Sequence, residues 1–277
     1  MQARHKRRHN LILLVGAGRM GGALIKSWTA QGIRPIGAVE PNPRQHLVGL
    51  AKTKRIALFR DVEELAEASV AACVVALKPQ VLRTEAIRLR PIARSGALMI
   101  SIAAGTGIAN LRKAWGRANI VRAMPNTPGA IGKGITALYA PSGVKAELRD
   151  LAVRLMAGLG PTFWARRESW VDIVTAVSGS GPAYVFLFAE ALAAAAREQG
   201  MPAAIAARLA RATLTGSGAL LEHDAREPAA LRADVTSPGG TTEAALRVLT
   251  GNGALEQLVR RAVAAARRRA EELREQG

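Results

Sequence analysis

Gly16-Ala17-Gly18-Arg19-Met20-Gly21 follows an unbroken apolar run, Leu11-Ile12-Leu13-Leu14-Val15, and leads into a helix-forming stretch from Met20 to Ala30. An apolar run of that length suits a strand buried on both faces of a parallel sheet. In that setting each glycine has its own task. Gly16 permits the tight turn, Gly18 lets a pyrophosphate approach the backbone, and Gly21 lets the helix pack closely on the sheet. The helix start then offers free amides, including those of Arg19 and Met20, to an anion. A bare glycine spacing is a weak signal, but strand before and helix after make it the signature of a dinucleotide site.

Outward from this unit the strand–helix rhythm continues. Strands are expected at 35–39, 56–58, 72–77, 97–102 and 119–123, with helices between them. Lys78-Pro79 closes one strand and starts a helix, since proline suits a first helical turn. Asp61 is placed to cap the helix after the third strand. Such alternation implies a mostly parallel, doubly wound Rossmann sheet. Met124-Pro125-Asn126-Thr127-Pro128-Gly129 breaks the rhythm with a rigid loop where a strand end meets the ligand crevice. Strands at 136–139 and 162–164 and a helix at 144–157 complete a domain over residues 11–165. Beyond it only helices are expected, at 168–177, 182–199, 202–222, 240–250 and 253–274, forming an all-helical domain over 166–277. Its long apolar helices offer more surface than one thin layer can bury, so a homodimer is expected.

Composition narrows the class. Of 277 residues, 49% are hydrophobic but only 4% aromatic, so the core must rest on Ala, Val, Leu and Ile. Net charge is 39 − 21 = +18, which attracts polyanions in general. The charge gathers in Arg4-His5-Lys6-Arg7-Arg8-His9, within a basic tail over residues 1–10, and in Arg267-Arg268-Arg269. No nucleic-acid recognition motif accompanies it, so a nucleic-acid partner is not expected. Cys73, the single cysteine, lies in an apolar run and reads as a small core residue. One cysteine excludes an internal disulfide, and the four histidines form no metal-binding spacing. With no signal segment or membrane span, a cytoplasmic protein is expected.

The cofactor end carries two conflicting signals. Glu40, 22 residues after Gly18, can accept from both ribose hydroxyls, which favours the unphosphorylated dinucleotide. Arg44 offers the fork that suits a 2′-phosphate. Lys78 and Pro79 at one strand end, and Ala103-Ala104-Gly105 at the next, point into the crevice, where small side chains let a nicotinamide approach. Two glycine-rich segments in the helical part, Ser178-Gly179-Ser180-Gly181-Pro182 and Thr236-Ser237-Pro238-Gly239-Gly240-Thr241-Thr242, each precede a helix. They read equally as receptors for a substrate carboxylate or as plain helix caps. No histidine base and no Tyr-x-x-x-Lys pair are present. That favours C=N reduction over alcohol oxidation, because an alcohol must lose a proton to a base.

Together these segments resemble the Δ1-pyrroline-5-carboxylate reductase family. The resemblance is carried by Gly16 to Gly21, Leu77-Lys78-Pro79, Ser101 to Gly105, Arg122 to Pro128, Ser178 to Tyr184 and Val235 to Thr242. It implies NAD(P)H-dependent reduction of 1-pyrroline-5-carboxylate to L-proline, the last step of proline biosynthesis. NADPH is the expected cofactor and NADH the second candidate. It also implies a helical dimerisation domain and, in many members, dimers gathered into a decamer. By motif position the carboxylate meets Ser237, Gly240 and Thr241, and Thr242 bonds the ring nitrogen. The cofactor meets the first glycines, Lys78, Pro79, Ala104 and Asn126. Glu40, Asp61-Val62-Glu63 and the basic tail depart from the family pattern. A hydroxyacid dehydrogenase on the same scaffold would need a lysine in the helix at 182–199, and that stretch has none.

Overall fold

The computed structural model describes residues 10–65 and 68–276; apart from Asn10, the basic tail lies outside them. Two compact units emerge. The first comprises the residues up to Gly179 together with 266–277, and the second is Ser180–Ala265.

In the first unit β1 (Leu11–Val15), β2 (Ile36–Val39), β3 (Ala57–Phe59), β4 (Val70–Val75), β5 (Leu98–Ser101), β6 (Asn119–Met124), β7 (Thr136–Tyr139) and β8 (Thr162–Trp164) form one sheet. Its order is β3-β2-β1-β4-β5-β6-β7-β8. Strands β1 to β6 pair in parallel, β7 runs antiparallel to β6, and β8 is parallel to β7. The order reverses between β1 and β4, which opens a ligand crevice at their C-terminal ends. The helices are α1 (Arg19–Ala30), α2 (Gln45–Lys52), α3 (Pro79–Glu85), α4 (Arg90–Arg94), α5 (Ile108–Trp115), α6 (Ala146–Met156) and α7 (Ser169–Val174).

Both faces of the sheet are buried, which is why β1 reads as a continuous apolar run rather than an alternating one. Leu14 packs on one side with Leu24, Trp28 and Leu155. Leu13 packs on the other with Met99, Leu111 and Trp115. Each face holds one tryptophan whose indole N–H is satisfied by a carbonyl: Trp28 donates to Leu155 at 2.7 Å and Trp115 to Ala86 at 2.9 Å. Cys73 lies in the second cluster, and burial pushes its thiol up to about 12. It is the small core residue its apolar neighbours imply.

The second unit holds α8 (Gly181–Glu198), α9 (Ala203–His223), α10 (Pro228–Asp234), α11 (Thr241–Thr250) and most of α12 (Ala254–Gln276). Among these, α8 has no fully buried residue, and α9 buries only Ala206 and Ala210. Phe186 and Leu187 on α8 are 62% and 65% exposed. The helical stretch Ser169–Glu198 is long and apolar enough, by length and composition, to cross a membrane. It nevertheless begins with a buried aspartate, Asp172, in ionic contact with Arg122 and Arg274, an unsuitable start for a lipid-facing span.

Two local readings differ from the sequence. The segment Ser178-Gly179 is no open loop. A π-helical turn over Thr175–Gly179 continues α7 towards α8, and Ser180 has helical rather than extended angles. The sequence also passes over α10, whose two turns lie in a stretch punctuated by Pro228, Pro238 and two glycines.

Candidate active site

The Gly16–Gly21 turn has the backbone geometry that the glycine spacing implies. Gly16 turns the chain at φ +89°, and a Cβ there would meet Leu77 at 2.9 Å. A Cβ on Gly21 would collide with the Gly16 carbonyl, so α1 can start this close to the sheet only on glycine. Gly18 faces open space, with nothing within 4 Å of an added Cβ. That leaves the backbone approachable from the crevice. Arg19 and Met20 form the first turn of α1, with no side-chain cap at its start. Their amides therefore have no acceptor inside the helix.

Glu40, at the end of β2, reaches back to this loop. Its Oε2 accepts from the Ala17 N–H at 2.7 Å and its Oε1 from the Asn42 N–H at 3.2 Å. Gly16 and Glu40 line one cavity of about 530 Å³ with Pro41, Arg60, Leu77 and Arg88. Arg44 is exposed at the residue before α2 and lies outside that lining. Two arginines that sequence reasoning missed are present instead. Arg60 donates to the Pro41 carbonyl at 2.6 Å. Arg88 is gripped by Asp61 at 2.6 Å, Glu85 at 2.9 Å and Glu63 at 3.1 Å. The Arg88 guanidinium, bonding to Asp61, holds that carboxyl below its ordinary range. Asp61 also caps the 3₁₀ turn Val62–Leu65, accepting from Glu63 N–H at 2.9 Å. No sequence spacing signals this clamp, because Asp61 and Arg88 meet only through the fold.

Across the switch point, Lys78 is the exposed residue before α3 and Pro79 its first residue. Ala104 is half-buried in the turn after β5. Asn126 follows β6, and its Oδ1 accepts from Ile135 N–H at 3.0 Å. The side chain thus braces its own loop. A charged cluster also absent from the sequence reading joins β6, α7 and the end of α12. Arg122 and Asp172 are 2% and 1% exposed. Arg122 pairs with Glu168 at 2.6 Å and faces Asp172 at 3.8 Å, while Arg274 faces Asp172 at 3.0 Å. Burial pushes the Asp172 carboxyl up, against the opposing pull of Arg122 and Arg274.

In the helical unit, Ser237 and Pro238 are exposed, Gly239 takes φ +71°, and Gly240 stands just before α11. Two of the loop's amides are already used. Gly239 N–H donates to Glu243 Oε2 at 2.6 Å, and Gly240 N–H donates to the Ser237 carbonyl at 3.0 Å. The amides without a partner inside the helix are those of its first turn, Thr241, Thr242 and Glu243. The open amides thus lie one step further along the chain than the glycines alone imply. No group of three or more His, Cys, Asp or Glu residues that could hold a metal occurs among the described residues.

An open glycine loop under a helix start, with a carboxylate at the end of β2 and the crevice at a strand-order reversal, is the arrangement of the dinucleotide-binding domain of an oxidoreductase. A family model for coenzyme-F420-dependent NADP oxidoreductases matches residues 11–105, and one for pyrroline-5-carboxylate reductase dimerisation matches residues 168–273. The pyrroline-5-carboxylate reductase of Pseudomonas aeruginosa is 38% identical over 268 residues, covering 96% of this chain and 97% of its own. The chain belongs to the pyrroline-5-carboxylate reductase family. Among solved structures, that of Coxiella burnetii pyrroline-5-carboxylate reductase is 33% identical with a TM-score of 0.85, covering 96% of this chain and 98% of its own. The Plasmodium falciparum pyrroline carboxylate reductase, solved with NADP bound, is 27% identical with a TM-score of 0.80, covering 96% and 99%.

Proposed function

We propose that this chain reduces 1-pyrroline-5-carboxylate to L-proline with NAD(P)H, as the last step of proline biosynthesis in the cytoplasm. The observation that carries the reading is the pairing, in one chain of this family, of an open dinucleotide loop with the helix start at Thr241–Glu243. The residues fit the cofactor. The Arg19 and Met20 amides take the pyrophosphate over Gly18, and Glu40 takes the adenosine ribose. Lys78, Pro79, Ala104 and Asn126 border the nicotinamide half. When bound, the reduced nicotinamide supplies the hydride that the C=N carbon accepts.

The chain's own residues do the rest. Ser237, Gly240 and Thr241 cradle the substrate carboxylate at the start of α11, where the helix dipole favours negative charge. The donors are the open amides of Thr241 to Glu243, since the Gly240 N–H is taken by the Ser237 carbonyl. The Thr242 hydroxyl hydrogen-bonds the ring nitrogen as it becomes an amine. No strong base is required, because the electrophile is an imine. The helical unit makes the homodimer, and the family resemblance extends it to a decamer. A steady-state assay with pyrroline-5-carboxylate tests the activity. Proline must form, and a folded protein that binds cofactor but forms none overturns the proposal.

Cofactor choice is a separate expectation. Glu40 is fixed by two amides and repels a 2′-phosphate. NADPH remains the expected cofactor, with NADH also used. Glu40→Ser raises the ratio of kcat/KM for NADPH over NADH by roughly tenfold, the scale of one close charge interaction shielded by bound ligand. Arg44→Ala lowers that ratio only slightly, since Arg44 is exposed and outside the cavity. Unchanged ratios in both variants show that neither side chain reads the phosphate.

A further inference from the structure

The turn after β5, at residues 103–107, is held by parts of the first unit remote from it in sequence. Gly105 adopts φ +67°, and a Cβ placed there would lie 2.7 Å from the Cβ of Leu273. The end of α12 therefore packs on this turn without slack. A Cβ on Gly107 would likewise meet Arg274 Cγ at 3.0 Å. Ile108 opens α5, and its N–H donates to Glu168 Oε1 at 2.7 Å. This satisfies an amide that the helix itself leaves without an acceptor. The same Glu168 oxygen takes Arg122 at 2.6 Å. At the other end, Asn110 Nδ2 donates to the Arg274 carbonyl at 2.9 Å, using a carbonyl in the final turn of α12. The Arg274 guanidinium meets Asp172 at 3.0 Å. Among the described residues neither Asp172 oxygen accepts a hydrogen bond, so that buried carboxylate is matched only by the two guanidinium groups.

We infer that the last turn of α12, through Leu273 and Arg274, is a latch that positions the 103–107 turn and so the wall against which the nicotinamide half of the cofactor rests. Arg274 and Asp172 are positioning residues, acting through Gly105 and the start of α5. The inference rests on the proposed placement of the nicotinamide beside Ala104. Physically, the turn has small side chains and a left-handed glycine, so little within it resists movement. The buried Asp172 attracts Arg274 inward, and Leu273 fills the space that Gly105 leaves. Removing the latch loosens the nicotinamide wall while the Gly16–Gly21 loop and Glu40, which follow β1 and β2 two and three strands from β5, keep their own bonds.

The test compares two ligands that differ only at that end, NADPH and 2′-phospho-ADP-ribose, in equilibrium binding to the full-length protein. Leu273→Ala and Arg274→Ala are expected to weaken NADPH roughly fivefold, the usual scale of a non-contacting coupled residue, and to leave 2′-phospho-ADP-ribose unchanged. Arg274→Lys restores most of the loss, since the charge facing Asp172 survives. Amide hydrogen exchange at 103–110 quickens in the two alanine variants. Should Arg274→Ala fail to fold, Leu273→Ala alone carries the same comparison, with Arg274→Lys expected to bind as the wild type does. Equal weakening of both ligands, or no change in either, overturns the latch. A wild-type protein that binds neither ligand overturns the cofactor placement itself.

Discussion

Phe186→Glu together with Leu187→Glu is expected to turn the oligomer into a monomer. Both side chains stand open on α8, and Val185 beside them is 50% exposed. Val185 and Phe186 also line a groove of about 390 Å³ between α8 and α9, with Leu214 on its far wall. A monomeric surface rarely leaves several large apolar side chains open side by side on one helix. In a two-fold dimer each residue is used twice. Four side chains at ~1.5–3 kcal/mol each amount to roughly 6–12 kcal/mol of lost burial. That rivals the whole free energy of a nanomolar complex, about 12 kcal/mol, and each glutamate adds a charge that resists desolvation. Light scattering at micromolar concentration should give the wild-type protein at least the dimer mass and the double variant the mass of one chain. The wild-type melting temperature should also rise with protein concentration, as linkage requires of a subunit-stabilised fold. A wild-type monomer contradicts the expectation, and an unchanged mass in the variant moves the interface off α8.

The sheet was legible because its central strands β1, β4 and β5 are almost wholly apolar. With both faces covered, β1, β4 and β5 need no alternation, and runs such as Ala72-Cys73-Val74-Val75 announce themselves. Strand direction was not legible. Nothing in Thr136-Ala137-Leu138-Tyr139 distinguishes the antiparallel β7 from a parallel strand, because side-chain period is the same in both. The glycine loop and Glu40 were legible for a related reason: spacing along one strand–helix unit fixes where a side chain lands. The Arg88 clamp and the Arg274 latch have no such local grammar. Asn110 and Arg274 meet across 164 positions of chain, and only the fold brings them together. Ser178-Gly179 misled because glycine is read as a break, whereas here buried Ala176 and the packing of Gly179 beside Met124 keep the turn helical.

Thr242→Ala should lower kcat by roughly tenfold to a hundredfold, at or just below the lower bound for one positioned proton-transfer group. The structure sharpens the reason. Gly240 is the residue just before α11 and Thr241 its first, and that helix has no side-chain cap. Thr242 lies in the first turn, half-buried. Its amide points the way of the helix start, while Gly239 and Gly240 spend their own N–H groups on Glu243 and Ser237. A carboxylate bound at the open amides of Thr241 to Glu243 therefore lies within one helical turn of the Thr242 side chain. In 1-pyrroline-5-carboxylate the ring nitrogen is two bonds from the carboxyl carbon, so anchoring one end presents the other to that hydroxyl. The hydroxyl bonds to the nitrogen as the amine forms, an interaction stronger in the transition state than in the bound imine. Its loss must therefore appear in kcat more than in KM. Water replaces the hydroxyl in part, which keeps the effect below that of removing a true general acid. Thr242→Ser retains the hydroxyl and most of the activity. The cofactor Kd stays within about twofold in both variants, because the amides proposed to take the pyrophosphate are those of Arg19 and Met20, not of α11. Measuring kcat, KM and cofactor Kd side by side decides the matter. If Thr242→Ala keeps the wild-type kcat, the nitrogen takes its proton from solvent and Thr242 serves only the fold.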